Sequence, residues 1–417
     1  MLRTLFIGLV ALILGATLGI LGYRAVIPPT DLDARVAAFE PENADWFYQN
    51  ASEVFPTRTV RRSEVNQPYQ VDTNVLDGFT FEFEGKTRTI EDLYTDMETS
   101  GLIILHKGKL VHESYGRGAS SGTQFTTYSL VKSFTSTLVG FAVGDGLIAS
   151  VDDPLTKYLP ALEGTSYEGV SVKHALEMSS GVKFDPGGLG DMSDTVAFIT
   201  DSAVLGKKTA FDIAKSFPRA AEPGTVFNYN TAETQILLEL VRAVTGKTAS
   251  VYLEEKMWHP LGMEHDAGWI LDQPGREGVE FGGAFFNASL RDWARFGQFI
   301  EQGGVWNGEQ LLPVDWVDQA TWSDEPHLQA GKVHPNPNRG YAWQWWTFTD
   351  GTFTGSGAYG QTVYIDREND IVVARSSAWP QGWVKEHGER SYAFFKALGD
   401  WEFEPVSAGA PVAALPD

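Results

Sequence analysis

The stretch TTYSLVKSFTSTLVG (residues 126–140) holds a serine and a lysine three residues apart, Ser129 and Lys132. The segment 128–143 has no proline and only one glycine, Gly140. Apolar side chains cover most of its helical circumference, which is typical of a buried helix. We therefore predict a buried helix on which Ser129 and Lys132, at positions i and i+3, are neighbours.

A lysine in such a helix needs a physical reason, because burial disfavours the charged ammonium group. Burial lowers the pKa of a lysine from its usual value of about 10.4. A neutral amine beside a hydroxyl can accept its proton and activate the serine as a nucleophile. The alternative at this point is that Lys132 extends from the helix end into solvent.

A second Ser-x-x-Lys sequence, Ser180 to Lys183, lies in EMSSGVKFDPGG. A glycine directly follows Ser180, and a Pro-Gly-Gly loop comes soon after. This pattern indicates a helix end running into a loop, where the two side chains have no reason to share a face. We therefore expect the chemistry at Ser129 rather than at Ser180.

Composition excludes several kinds of site. The 417-residue chain has a formal net charge of −22, which argues against a nucleic-acid partner. It has no cysteine, so disulfides, cysteine-ligated zinc and a cysteine nucleophile are excluded. The eight histidines form no His-Glu-x-x-His pair. We expect neither a metal nor another cofactor.

The N-terminal residues 1–26 are a candidate membrane segment. The run from Leu5 to Leu21 has no charged residue. At about 1.5 Å per residue, it nearly spans the ~30 Å hydrocarbon core. We predict an uncleaved inner-membrane anchor with its basic end inside and the remaining chain exported, periplasmic or extracellular. A cleaved signal peptide and secretion remain the alternative.

Beyond this segment, residues 27–75 are predicted to be a linker and N-terminal extension, and residues 403–417 a disordered tail. The domain between them, 76–402, has alternating apolar hairpins at 101–116 and 362–377, with helical patterns in between. These features predict an α+β fold in which both ends of the domain complete one antiparallel sheet around an inserted, mainly helical region.

Four segments then carry a family resemblance: YSLVKSFTSTLVGFAVGDGLIASVDDPLTKYLP (128–160), PGTVFNYNTAETQILL (223–238), SLRDWARFGQFIEQGGVWNGEQLLP (289–313) and GSGAYGQTVYID (355–366). In this order they resemble the serine β-lactamase and penicillin-binding protein superfamily. The similarity is strongest to its class C-type branch, which includes esterases and the 6-aminohexanoate-dimer hydrolases. The resemblance covers about residues 76–400 and implies a β-lactamase/transpeptidase-like fold.

The family pattern is Ser-x-x-Lys, then Tyr-x-Asn, then Lys-Thr-Gly or a variant. The resemblance implies Ser129 as the nucleophile, Lys132 as its partner and Tyr229 as a proton shuttle. It also implies an oxyanion hole formed by the N–H groups of Ser129 and Ala358. Two positions depart from the β-lactamase pattern. Thr231 replaces the asparagine of the second motif, and Gly355 replaces the lysine of the third.

Three further residues, Asn230, Gly357 and Trp345, are candidates for substrate contacts. Trp345 belongs to GYAWQWWTF (340–348), whose tryptophans form either an aromatic wall for an acyl chain or part of the core.

These features together predict a serine hydrolase that cleaves small amides or esters. A β-lactamase or D-alanyl-D-alanine carboxypeptidase is one alternative, and a catalytically silent ligand-binding sensor is another. Because Gly355 carries no ammonium group, we expect little cephalosporin hydrolysis, and we expect Gly355→Lys to increase it. Efficient hydrolysis would require another cation, with Arg339 or Lys385 the first candidates.

Overall fold

The computed structural model describes residues 35, 43–65, 67–72, 74–187, 193–273, 277–333 and 337–404. The predicted membrane segment lies outside these residues, as does the predicted tail after residue 404. Among the helices of the described ranges, none is long and apolar enough to cross a membrane.

The strands of the described residues are short, and most of them join two antiparallel sheets. They are β1 (Thr57–Val60), β2 (Phe81–Phe83), β3 (Lys86–Arg88), β4 (Thr99–His106), β5 (Lys109–Tyr115), β6 (Gln124–Thr126), β7 (Ala267–Ile270), β8 (Phe286–Ser289), β9 (Val305–Trp306), β10 (Glu309–Gln310), β11 (Arg339–Tyr341), β12 (Trp346–Phe348), β13 (Phe353–Gly357), β14 (Gln361–Asp366) and β15 (Ile371–Ser377).

The helices lie mostly between β6 and β11. The α-helices of the described residues are α1 (Ala44–Val54), α2 (Ile90–Asp96), α3 (Val131–Gly144), α4 (Val172–Leu176), α5 (Asp194–Ile199), α6 (Ala210–Ala214), α7 (Thr231–Thr245), α8 (Ala249–Leu253), α9 (Leu290–Glu301), α10 (Trp316–Thr321) and α11 (Lys385–Gly399). Short 3₁₀ turns include Tyr128–Leu130 and Ala358–Gly360.

The main sheet has seven strands in the order β11-β12-β13-β14-β15-β4-β5. The two predicted hairpins are confirmed as β4–β5 and β14–β15. They meet where β15 pairs with β4, with Val373 opposite Ile104. Both ends of the domain therefore complete one sheet around the inserted helices, as the α+β prediction requires.

Strand β4 contributes side chains to cores on both faces of this sheet. Leu102 and Ile104 pack in the cluster that contains Phe394 of α11. Ile103 and Leu105 belong to the larger core around α3. Because successive side chains of a strand point to opposite faces, an uninterrupted apolar run indicates a strand buried on both sides.

Helix α3 is buried along nearly its whole length, as predicted. Gly140 allows a close approach to α10, since a Cβ there would lie 2.6 Å from the ring of Trp316. The helix begins at Val131 rather than at Tyr128. Residues Tyr128–Leu130 instead form a 3₁₀ turn, and Tyr128 has a φ of 45°. The nucleophile candidate Ser129 thus lies on a tight turn that leads into the helix.

The segment 27–75, predicted to be a linker and N-terminal extension, contains folded elements in its described part. Helix α1 buries Phe47 and Tyr48, and β1 pairs with β7 in a four-stranded sheet of order β1-β7-β8-β6. The spacing of Phe47, Ala51 and Val54 places three buried apolar side chains on one helix face. The folded domain therefore begins well before residue 76.

Candidate active site

The structure brings Ser129 and Lys132 together, as their spacing predicts. The ammonium nitrogen Nζ of Lys132 donates to Ser129 Oγ over 3.2 Å. The same nitrogen donates to the carbonyl oxygen of Gly283 at 2.5 Å and to Thr231 Oγ1 at 3.4 Å. These three contacts fix the amine beside the hydroxyl and use the donor capacity of the charged form.

Lys132 does not extend into solvent, because only 1% of its surface is exposed. No carboxylate of the described residues lies within salt-bridge distance of its Nζ. Burial lowers the pKa of Lys132 to about 7. A large fraction of the amine is therefore neutral near pH 7 and able to accept the proton of Ser129.

Tyr229 faces the same pair from the loop that precedes α7. Its ring centroid lies 5.2 Å from Lys132 Nζ, and its hydroxyl interacts with that of Ser129. Burial raises the pKa of Tyr229 to about 12, although Ser129 and Arg339 act in the opposite direction. Its hydroxyl is accordingly protonated near neutral pH and suited to giving a proton to a leaving group.

The loop carrying Tyr229 is held on both sides. The side chain of Asn228 donates to the carbonyl oxygens of Val182 and Phe184. The ring of Tyr229 stacks on Trp346 with centroids 5.4 Å apart and an interplanar angle of 25°. The hydroxyl therefore has little freedom to move away from Ser129.

The predicted oxyanion-hole residues, Ser129 and Ala358, line the same cleft of about 700 Å³. Ala358 begins a 3₁₀ turn directly after β13. Gly357 makes this approach possible, because a Cβ there would lie 2.1 Å from the carbonyl oxygen of Thr127. The end of β13 therefore touches the backbone that leads into the nucleophile turn, and Gly357 and Ala358 both lie at the cleft as predicted.

Arg339 is the main feature that the family motifs did not indicate. Only 5% of its surface is exposed, yet it lines the cleft. Its Nη2 donates to Ser356 Oγ at 2.9 Å, and its guanidinium lies 4.4 Å from the ring of Trp346 and 5.3 Å from that of Trp383. Burial lowers the pKa of Arg339 to about 10, so the group stays charged at neutral pH.

No aspartate or glutamate of the described residues forms a salt bridge with Arg339, and its Nε is buried without a hydrogen-bond partner there. The cleft therefore contains a fixed positive charge, contrary to our expectation from Gly355. Lys385, the other proposed cation, is largely exposed and pairs with Glu389.

Gly355 itself faces helix α3. A Cβ at this position would lie 2.5 Å from Leu130 Cδ1 and 2.8 Å from Ser133 Oγ. A lysine here would force the side chains of Leu130 and Ser133 to move, next to the residues that carry the Ser129–Lys132 pair. Contrary to the sequence-based expectation, Gly355→Lys should therefore disturb this pair rather than increase cephalosporin hydrolysis.

Two of the candidate substrate contacts lie away from the cleft. Asn230 is fully buried and caps helix α7, where its Oδ1 accepts from the N–H of Ala232 at 2.9 Å. Trp345 is a core residue, packed on Phe296 and Phe353 with ring centroids 5.9 Å and 5.4 Å away. Its neighbour Trp346 lines the cleft instead.

The second Ser-x-x-Lys sequence does not form a pair. Ser180 is buried and donates to Glu233 Oε1 at 2.5 Å, whereas Lys183 is exposed. The hydroxyl oxygen of Ser180 also accepts from the N–H of Val182. Ser180 therefore serves the packing of α7, as the loop pattern indicated.

Comparison with known proteins agrees with this geometry. The family model described as Beta-lactamase matches residues 87–393. The 6-aminohexanoate-dimer hydrolase of Paenarthrobacter ureafaciens is 28% identical over 344 residues, which cover 80% of this chain and 85% of that protein.

Solved structures share the fold. A Bacillus anthracis protein, provisionally named a 6-aminohexanoate-dimer hydrolase, superposes with a TM-score of 0.77 at 24% identity and covers 86% of this chain and 94% of its own. A family VIII carboxylesterase gives a TM-score of 0.56 at 18% identity, with 74% of this chain and 95% of its own covered. The chain therefore belongs to the Beta-lactamase family and is a serine hydrolase.

Proposed function

We propose that this hydrolase cleaves short linear amides and esters that carry a free carboxylate, through an acyl-enzyme on Ser129. The relative from Paenarthrobacter ureafaciens is named for hydrolysis of a 6-aminohexanoate dimer, and we extend the linear-amide part of that name to this chain. The observation that carries the proposal is the buried charge of Arg339 in the wall of the cleft that contains Ser129.

In the acylation step, Ser129 Oγ attacks the carbonyl carbon while neutral Lys132 takes the hydroxyl proton. The N–H groups of Ser129 and Ala358 stabilise the oxyanion, and one such donor contributes roughly 3–4 kcal/mol. As the tetrahedral adduct collapses, the bond to the leaving group breaks. Tyr229 gives its proton to the departing amine or alcohol and recovers one from Lys132. Proton transfer of this kind contributes about 10²–10⁴-fold in rate.

Deacylation reverses the proton path. Water attacks the acyl carbon, and its proton passes to the Lys132–Tyr229 pair. The bond to Ser129 Oγ then breaks, Oγ regains a proton, and the carboxylic acid product leaves. The low pKa of Lys132 and the high pKa of Tyr229 favour the lysine as the resting base in both halves of the cycle.

The carboxylate of the substrate would pair with Arg339 beside Ser356 and Trp346. A planar guanidinium presents parallel donors that match the two oxygens of a carboxylate. A hydrogen bond to a charged group contributes about 1.5–3 kcal/mol, or about 10–150-fold in binding. This charge therefore distinguishes acidic substrates from neutral ones of the same shape.

The test compares two linear amides that differ only in one group, a terminal carboxylate or its carboxamide. Arg339→Met should lower kcat/KM for the carboxylate by about 10–150-fold and change the carboxamide little. Arg339→Lys keeps the charge but loses the planar guanidinium. Its kcat/KM for the carboxylate should lie between those of the wild type and Arg339→Met. Equal losses for the two substrates would mean that Arg339 only supports the fold of the cleft.

A second candidate activity is β-lactam hydrolysis, because Arg339 also supplies a cation for a β-lactam carboxylate. Thr231, in place of the second-motif asparagine of β-lactamases, counts against it. Adding a chromogenic cephalosporin to the amide and ester panel separates the two. We expect the linear substrates to be hydrolysed and the cephalosporin to be a poor substrate.

We also propose that residues 4–23 anchor the protein in the inner membrane, with the hydrolase domain outside the cytoplasm. The proposal is supported by the charge-free run and the flanking basic residues. N-terminal sequencing of the mature protein, after membrane fractionation, tests it. A start near residues 17–30 in the soluble fraction would replace the anchor with a cleaved signal peptide.

A further inference from the structure

Two tyrosines flank the two backbone N–H groups assigned to the oxyanion. Tyr128 directly precedes Ser129, and Tyr359 directly follows Ala358. Both have left-handed backbone angles, with φ values of 45° and 63°. Residues other than glycine adopt this conformation rarely, and they keep it only where the surrounding structure holds them. Something must therefore hold these two residues next to the reaction centre.

A third tyrosine, Tyr48 of helix α1, contacts both of them. Its ring centroid lies 5.5 Å from that of Tyr128 and 5.0 Å from that of Tyr359, and the latter two are 5.0 Å apart. The three rings thus form a closed triangle, with Tyr48 only 5% exposed. Tilted and edge-to-face arrangements at these distances are favourable for aromatic pairs.

We propose that Tyr48 is a positioning residue that holds Tyr128 and Tyr359, and through them the N–H groups of Ser129 and Ala358, at the spacing an oxyanion requires. The proposal rests on the proposed function, since it assigns those two groups to the oxyanion. It gives the N-terminal helix α1 a part in catalysis, although Tyr48 lies outside the domain predicted from the sequence.

Packing by Tyr48 can affect both oxyanion donors, because the backbone at Gly357 already touches the turn that contains Tyr128. A Cβ on Gly357 would lie 3.1 Å from the Cβ of Tyr128, as well as against Thr127. On the other side, the N–H of Tyr359 donates to the carbonyl oxygen of Gly382 at 3.0 Å. The backbone of Tyr359 is thereby tied to the segment between β15 and α11. The rings of Tyr128 and Tyr359 also touch each other directly, and Tyr48 packs on both of them and so braces this contact.

The triangle does not depend on ionisation. Burial raises the pKa of Tyr48, Tyr128 and Tyr359 above the usual value for tyrosine, so all three phenols stay neutral over the working range. The contact therefore combines ring packing with interactions between the neutral hydroxyl groups, and we expect the ring packing to be the part that positions the backbone. A phenylalanine at position 48 should replace Tyr48 well, whereas a non-aromatic side chain should not.

The experiment compares Tyr48→Leu with Tyr48→Phe and uses Val54→Ala as a matched control. Val54 is buried on the same helix. Removal of a whole oxyanion donor costs about 10²–10³-fold in kcat, so displacing two donors slightly should cost about 10–100-fold. We expect this loss in Tyr48→Leu for kcat on a nitrophenyl ester, with KM little changed. The affinity of a boronic acid that forms a tetrahedral adduct on Ser129 should fall by the same factor.

Tyr48→Phe should restore both values, and Val54→Ala should lower the melting temperature without changing either. A Tyr48→Leu variant that is less stable but keeps the kcat and boronate affinity of the wild type would overturn the proposal. If that variant does not fold, Tyr48→Met takes its place, because its longer, unbranched side chain adapts better to the site.

The rate at which a fluorophosphonate labels Ser129 provides a readout that needs no turnover. It should fall about 10–100-fold in Tyr48→Leu, because the phosphonyl oxygen uses the same donors. A wild type that labels but hydrolyses no ester or amide would contradict the proposed function and leave this comparison intact. An unchanged labelling rate in Tyr48→Leu would contradict the positioning role alone.

Discussion

The molecule contains the same four-residue pattern twice, and the serine and lysine side chains meet in only one of the two copies. Ser129 and Lys132 occupy consecutive turns at the start of a buried helix, 3.2 Å apart, and Ser129 lines the cleft. Ser180 and Lys183 bracket a glycine with a φ of 74°, and their side chains separate. The spacing of a motif has chemical meaning only where regular backbone brings its ends together.

The two serines also contact side chains of different chemistry, a lysine in one case and a glutamate in the other. Ser129 faces a lysine whose pKa is lowered to about 7 by burial, which makes it a base near neutral pH. Ser180 donates to Glu233, whose pKa burial raises to about 8. The first hydroxyl can lose its proton to its neighbour. The hydroxyl of Ser180 instead donates a structural hydrogen bond to Glu233.

Replacing each of the two lysines by methionine is the strongest test of the difference between the two serine–lysine sequences. Lys132→Met should lower kcat by about 10²–10⁴-fold, because it removes the general base. Lys183→Met, on an exposed loop, should leave kcat unchanged. Steady-state hydrolysis of a nitrophenyl ester measures both. Similar activities for the two variants would show that Lys132 is not the base.

The pH dependence of kcat/KM sharpens the same point. The neutral form of Lys132 is the active one, so activity should rise through a pH of about 7. Below that value it should fall about tenfold per pH unit. A profile that is flat from pH 5 to 8, measured with an ester whose leaving group does not titrate, would contradict this account.

The lowered pKa of Lys132 should also make the stability of the folded protein depend on pH. The pKa of Lys132 is lower in the folded state than its ordinary value of 10.5, so protonation favours unfolding. The penalty is complete below pH 7 and disappears as the pH rises to the unfolded value. Lys132→Met should therefore raise the melting temperature more at pH 6 than at pH 10. An equal gain at the two pH values would assign the effect to packing instead of charge.

The smallest effect on activity is expected at the other serine. Ser180→Ala leaves Asn230 Nδ2, at 3.3 Å, as the side-chain donor to Oε1 of buried Glu233, whose Oε2 already lacks a hydrogen-bond partner among the described residues. It should lower the free energy of unfolding by about 1–3 kcal/mol. Urea denaturation measures this loss, and kcat should stay near that of the wild type. A large loss of kcat with unchanged stability would move Ser180 into the reaction.

The sequence predicted the features that local periodicity determines. The burial of α3, the hairpins β4–β5 and β14–β15 and the neighbourhood of Ser129 and Lys132 all follow from patterns within one element or one hairpin. Tyr229 and Ala358 came from the family resemblance, and the structure places both at the cleft.

The features that the sequence left undecided or placed wrongly depend on tertiary packing. Arg339 reaches Ser356 across an intervening strand, a contact that no sequence pattern specifies. Trp345 and Trp346 are adjacent, so choosing between them requires the register of β12. Helix α1 falls within the predicted linker and N-terminal extension, although the spacing of Phe47, Ala51 and Val54 is typical of a buried helix face.

The most direct test of the central claim is covalent labelling with a fluorophosphonate, followed by peptide mass spectrometry. We expect one adduct on the peptide that contains Ser129, present in the wild type and in Ser180→Ala and absent in Ser129→Ala. An adduct that persists in Ser129→Ala and disappears in Ser180→Ala would contradict it, because the reactive pair would then be the other one.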